Sequence, residues 1–485
     1  MLPGLRSDVP MTMVVPTELE DMMPLLTAEK AEFEAAIGVS VTVTAKDPGH
    51  GPRWRMSMAP TAEPTLEWDP QTQQLRSTAA GPDGLLATMS LLHTVVRSGG
   101  REAADRPARD RSGVIERVTA EITGSFPALE QRGFAWKSIC AEYAPPVRHA
   151  VDPLATLQAW TAQLRDVHTW VHSTTAMFHP PYAVSIDGSA ATLVRIPAGS
   201  AAHEAGARAG WTLVDERPAE WSARSGAPAH AAALVAGRRL LATPFPNPRV
   251  FIAQSPGGGH VTWTERPAPA TTTGPLTSTG PATVSWRRLS RASGYLRISS
   301  WTDPINTSRR IDAALESLTD CELLVVDLRG NAGGNLALAT STRDRFLRAE
   351  TALGTIRYST GTGQLGERQT LHGRPPSDDS RGNHWRGEVV VLTDGLTCSA
   401  SEDFLLGLQG LPHVLVAGEP SCGGSGRPRS MALTHDTRLT ISCALTYDRE
   451  GRCVEGNGLP VDIPYPAFNG DGPLDQDALV TWVQR

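Results

Sequence analysis

No apolar run in this chain reaches the roughly 18 residues that a membrane-spanning helix needs, so no span is expected. Charge of one sign is not in excess either. Lys and Arg number 45 against 51 Asp and Glu, a net charge of −6, which points to neither a nucleic-acid surface nor a membrane surface. Six cysteines in 485 residues cannot make a dense disulfide framework, and their spacing matches no zinc site. A reduced, cytoplasmic protein without metal or cofactor is therefore expected. Cys398 reads as a small packed residue, while Cys422, Cys443 and Cys453 lie close enough in the last segment to approach one another. The first 20 residues hold one arginine and an interrupted apolar stretch, a poor secretory signal. The length predicts about three domains.

Two stretches carry a pattern with chemical content. In the first, Val389-Val390-Val391-Leu392 is a short apolar strand that runs through a small-residue turn into Ser399-Ala400-Ser401-Glu402 and then an apolar helix. A serine at such a junction exposes its hydroxyl beside the free N–H groups of the helix start, which suits a nucleophile next to a developing oxyanion. Ser-x-x-Glu before an apolar run is also a common capping device, so the motif alone leaves a cap and a nucleophile open. The second stretch, Leu323–Gly334, is another apolar strand that ends in a polar, glycine-rich turn. If the two strands are parallel neighbours, Gly333, Gly334 and Ser399 surround one crevice, where open α/β sheets bind ligands.

These residues resemble the C-terminal-processing (tail-specific) serine peptidases and their tricorn-core relatives. Asp327-Leu328-Arg329 with Asn331-Ala332-Gly333-Gly334 matches one signature of that family, and Ser399 to Glu402 matches its nucleophile turn; Gly418-Glu419-Pro420 follows as it should. The resemblance covers the chain from about Gly113 onward. One departure bears on mechanism. The tail-specific branch has a general-base lysine in a segment matched here by Gly418 to Gly426, and that segment contains no lysine. The resemblance then points to the tricorn-type branch, whose base is a histidine supplied from upstream and held by a glutamate near the C-terminal end. Those roles fall on His168, within Leu164-Arg165-Asp166-Val167-His168-Thr169, and on Glu455, within Cys453 to Ile463. Val167 stands where that branch has a serine assisting the histidine.

The resemblance thus implies a serine peptidase-like hydrolase that cleaves a peptide or related amide through an acyl-enzyme on Ser399. His168 would be the general base and Glu455 would orient it, with Ala400 and Gly333 or Gly334 as the oxyanion hole. A biosynthetic acyl transferase or cyclase on the same scaffold is the alternative, with a non-catalytic ligand binder as a third class. A peptide or peptide-like substrate is expected, with neither nucleic acid nor membrane as partner, and a homo-oligomer is left open. His172, four residues beyond His168, could share zinc with it on a helix, but no His-Glu-x-x-His carboxylate is present and no metal is expected. Asp327 and Arg329 are expected to pair with each other or with turn amides.

The expected architecture is an α/β protein. Residues 1–105 read as an N-terminal α+β module: a helix over Glu18–Ile37, strands near 39–44, 54–58, 65–68 and 74–78, and a helix over Gly84–Arg97. A charged linker at 98–111 precedes a helical lead-in, 113–180, that carries His168. Residues 181–266 resemble a PDZ domain through Leu193 to Pro197 and Ser200 to Trp211. Residues 267–283, almost without apolar content, read as a flexible linker. Residues 284–485 form the α/β core, which the family resemblance narrows to a crotonase-like (spiral) fold.

Overall fold

The computed structural model describes residues 2–59, 64–88, 91–92, 95–96, 107–108, 110–175, 177–214, 217–269, 283–376, 384–466 and 478–482. The expected linker falls mostly outside these residues, at 270–282, as does much of 98–111.

At the centre lies a six-stranded sheet in the order Val284–Arg288, Ser293–Ile298, Leu323–Asp327, Glu388–Thr393, Val414–Gly418, Ile463–Pro464. All neighbours are parallel except the first pair. The two middle strands are apolar on both faces, as a parallel sheet covered on both sides requires, and are buried accordingly. Helices Leu336–Asp344 and Ala400–Leu408 follow them and pack together.

The N-terminal segment forms a second five-stranded sheet in the order Val41–Thr44, Met11–Val14, Arg53–Met58, Gln74–Ala79, Thr65–Asp69. Alternation sets its buried face: Trp54 and Met56 point inward while Arg55 and Ser57 point out. Sequence periodicity finds four of these strands. It misses Met11–Val14, which is too short between Pro10 and Pro16 to show a period, yet lies between two partners. The helix expected over Glu18–Ile37 is three pieces: a 3-10 turn at Thr17–Met22, then Met23–Ala28 and Lys30–Ile37. Apolar residues of this module, Leu26 and Phe33 among them, join one cluster with Leu338, Phe346 and Phe404 of the central layer.

Helices Arg111–Ser125, Trp136–His149 and Pro153–Ala162 share a core with Met431, Leu439, Ile441 and Tyr447. Strand Trp170–Ser173 then pairs with Thr437–Ile441. The lead-in is therefore built into the C-terminal part of the chain. Residues 183–265 contribute a five-stranded antiparallel sheet with helix Ala232–Leu241 against its edge strand Ala183–Asp187. That contact is close: a Cβ on Gly237 would lie 1.9 Å from Val184 O.

Candidate active site

Asp327 pairs with Leu392 in register, so the C-terminal turns of the two middle strands lie side by side. They are stitched together. Asp394 Oδ2 accepts the Gly330 N–H at 2.9 Å, the Thr397 hydroxyl donates to Leu328 O at 3.1 Å, and the Cys398 N–H donates to Asn331 O at 3.0 Å. Beneath them the Arg329 guanidinium, wholly buried, pairs with Asp327 at 2.7 Å, the structural role expected for both.

From Val389 to Leu408 every residue is buried except Ser399. Its backbone sits at φ 58, ψ −124, a conformation costing a non-glycine residue about 1–3 kcal/mol that persists only where the surroundings impose it. The imposing contacts are visible. The Ser399 N–H donates to Glu402 Oε2 at 3.0 Å, and Gly333 comes so near that a Cβ there would lie 2.6 Å from Ser399 Cβ and 3.1 Å from the Ala400 nitrogen. With φ +100 as well, only glycine suits position 333. The Gly333 N–H is already donated to Asn331 Oδ1 at 2.9 Å. Among the described residues the N–H groups of Gly334 and Ala400 have no such acceptor.

Glu402 does more than cap. Fully buried, it accepts from the Ser421 hydroxyl at 2.6 Å and from the Gly423 and Gly424 N–H groups at 2.8 Å each, besides Ser399. Burial pushes its carboxyl up to about 7, and those donors hold it from rising further. The loop it cradles, 421–424, touches the chain next to each of the other candidates. Val167 packs with Cys398 and Cys422 and fills the space a side chain on Gly424 would need, its Cγ2 being 2.1 Å from that Cβ. The Gly456 N–H, next to Glu455, donates to Gly423 O at 2.8 Å, and the Leu459 N–H donates to Ser421 Oγ at 2.8 Å.

The chain leaves helix Pro153–Ala162 through Arg165 at φ 47, and Val167, the residue before His168, lands on this loop. Asp166 then accepts from the Ser442 hydroxyl at 2.7 Å and from the His168 N–H at 3.2 Å, fixing the turn. Burial lowers the His168 pKa below its ordinary 6.5; Asp166 opposes this, while Arg427 and Arg239 add to it, so the ring is a neutral acceptor at neutral pH. Glu455 is buried, accepts the Thr446 N–H at 2.7 Å, and is pushed up to about 8 by burial. His168 Nδ1, Glu455 Oε1 and Asp166 Oδ2 are each buried with no hydrogen-bond partner, so His168 and Glu455 share no direct bond. Asp166 is the carboxylate whose charge acts on the ring, and sequence reasoning left it without a role; its place two residues before His168 was the available signal. His172 lies on a strand, its ring bonded to Ser173 O and Thr440 Oγ1, and makes no pair with His168.

Cys398 and Cys422 form a disulfide, which corrects the expectation of a merely packed Cys398 and of Cys422 approaching Cys443 or Cys453. Those two, with Cys140 and Cys321, are in no disulfide among the described residues. Cys398 and Cys422 are 24 residues apart, and closing such a loop stabilises by about 3 kcal/mol on chain-entropy grounds. Dithiothreitol is expected to lower the unfolding free energy by that order, measured by denaturant melts with and without reductant.

Residues 292–465 match a peptidase family model. That model is peptidase family S41, and it covers well under half of the chain. The carboxy-terminal-processing protease of Bartonella bacilliformis is 29% identical over 182 residues, 35% of this chain and 38% of that protein. The chain thus matches well under half the length of this relative. Mature CPAF, solved with lactacystin, superposes with a TM-score of 0.54 at 13% identity over 73% of this chain and 94% of the other, which is a likeness of fold. A second structure of mature CPAF gives a TM-score of 0.53 at 14% identity over 73% of this chain and 93% of the other.

Proposed function

We propose that the chain is a serine peptidase that cleaves a peptide or related amide through an acyl-enzyme on Ser399. His168 takes the proton from the hydroxyl, Glu455 orients the ring, and the Gly334 and Ala400 N–H groups stabilise the oxyanion. The observation that carries this reading is the isolation of Ser399, a strained and solvent-reaching residue in a buried stretch, beside two amides without acceptors. Absence of a rival base supports it. The only lysines are Lys30, Lys46 and Lys137, all exposed, which favours the histidine-dependent, tricorn-type arrangement over a Ser–Lys dyad.

Glu455 needs its charge to serve the ring, and burial holds it protonated up to about pH 8. An imidazolium forming at His168 during acylation would favour the ionised carboxylate, so the two groups act as one coupled acid–base unit.

The finer structural reading follows: a crotonase-like core, and a PDZ-like module at 181–266. Strand addition of a substrate at the Ala183–Asp187 edge requires helix Ala232–Leu241 to move aside, since the two are already in contact. Among the described residues no helix is long and apolar enough to cross a membrane. The disulfide favours an oxidising compartment over the expected cytoplasm.

The test is labelling by a fluorophosphonate. Wild type and Cys398→Ala are expected to label and Ser399→Ala to be silent. Labelling that survives Ser399→Ala would remove the nucleophile from the scheme.

A further inference from the structure

The N-terminal module reaches the candidate site through one buried ion network. Glu32, on helix Lys30–Ile37, accepts from Arg427 Nη2 at 2.5 Å. The same guanidinium holds Asp403 with two bonds of 2.9 Å, and Asp403 lies in the first turn of the helix that Ser399 begins. Side-chain exposures of 8% for Glu32, 13% for Arg427 and 4% for Asp403 put all three charges out of water. Arg427 also donates to Ser425 O at 3.0 Å, and the Ser425 hydroxyl donates to Asp403 at 3.1 Å. Tyr358 donates its hydroxyl to the other oxygen of Glu32, and Thr340 donates to Glu29 one turn earlier. Glu32 and Arg427 are 395 residues apart in sequence, so no local requirement of either segment accounts for the pair.

A buried guanidinium facing one carboxylate could be satisfied by Asp403 alone. The structure instead brings a second carboxylate from a helix of the N-terminal module, onto the residue that closes the loop bearing Gly423 and Gly424. That loop is the shared neighbour of the Ser399, His168 and Glu455 segments.

We propose that Glu32 is a positioning residue for acylation: by clamping Arg427 against Asp403, the N-terminal module sets the start of the Ser399 helix and the loop facing His168. The inference rests on the reading of Ser399 and His168 as nucleophile and base. It makes the N-terminal module part of the catalytic unit. The charges facing His168 are Asp166 on its own turn, Arg239 on helix Ala232–Leu241, and Arg427; those facing Arg427 are Asp403, Glu32 and the Tyr358 hydroxyl. Removing the Glu32 charge leaves Arg427 less compensated, which disfavours protonated His168.

The test uses the full chain, with the second-order rate of fluorophosphonate labelling as readout. Glu32→Gln is expected to label roughly 10- to 100-fold more slowly, the range that misplacement of reacting groups by about an ångström produces. The acid limb of its pH–rate profile should move to lower pH. Tyr358→Phe, which removes one brace and no charge, should slow labelling less and leave the limb in place. A folded Glu32→Gln that labels at the wild-type rate with the wild-type profile overturns the proposal. Should Glu32→Gln not fold, as judged by near-UV circular dichroism, Tyr358→Phe decides, and an unchanged rate there overturns it. Wild type that fails to label, or Ser399→Ala that still labels, would instead sink the assignment of the nucleophile. Ser399-dependent labelling indifferent to Glu32 sinks only the clamp.

Discussion

His168→Ala is expected to slow acylation of Ser399 by roughly 10⁵- to 10⁶-fold while leaving the protein folded. The magnitude is that of removing a triad histidine, since a hydroxyl without an adjacent base is a poor nucleophile. Folding should survive because the ring makes no hydrogen bond through its buried Nδ1, and the turn is held by Asp166, Ser442 and Thr169. The turn is fixed by its neighbours and the ring is left for chemistry. In the wild type, burial of that ring puts the acid limb of the labelling rate below pH 6.5, because the neutral base persists to lower pH than in a free imidazole. An acid limb above 6.5 would show either that Asp166 outweighs burial or that Glu455, held protonated up to about pH 8, sets the limb in its place.

Glu402→Gln should be the most damaging conservative change to stability, costing about 3 kcal/mol or more. Four donors surround this carboxyl: Ser399 N–H and Gly424 N–H on one oxygen, the Ser421 hydroxyl and Gly423 N–H on the other. An amide of the same shape puts an NH2 group against two of them, and each buried donor left without an acceptor costs about 1–3 kcal/mol. Urea melts of Glu402→Gln and Glu402→Ala against wild type measure it. A loss under about 1 kcal/mol would mean that the loop 421–424 is held by its other contacts, chiefly the disulfide. The substitution should also release Ser399 from its strained backbone, so activity is expected to fall further than stability alone dictates.

Much of the central sheet was legible because its period is unambiguous. Val389 to Leu392 and Leu323 to Val326 are unbroken apolar runs, and only a strand covered on both faces needs that. Helix faces were legible for the same reason: Ile115, Val118 and Ile122 recur on one side of Arg111–Ser125 and are buried there. Local chemistry gave the Ser399–Glu402 relation, because a capping box spans three residues. What the sequence concealed was whatever joins distant segments. Cys398 and Cys422 meet only because the strand Val414–Gly418 returns the chain beside its starting point. Glu32 was one of several acids on a helix of unremarkable pattern, and nothing marks it until Arg427 is placed against it. Asp166 was hidden in plain view, two residues from the histidine, because proximity in sequence does not say which carboxylate oxygen a ring will face.

The central claim is that an imidazole from the lead-in serves the hydroxyl of Ser399. The most direct measurement is a crystal structure of the protein with a phosphonate bonded to Ser399 Oγ. The account predicts His168 Nε2 within about 2.6–3.2 Å of Ser399 Oγ or a phosphonate oxygen, with Glu455 Oε1 bonded to Nδ1 and a phosphonate oxygen facing the Gly334 and Ala400 N–H groups. A phosphonylated Ser399 with the His168 ring turned away and another side chain at that position would contradict it.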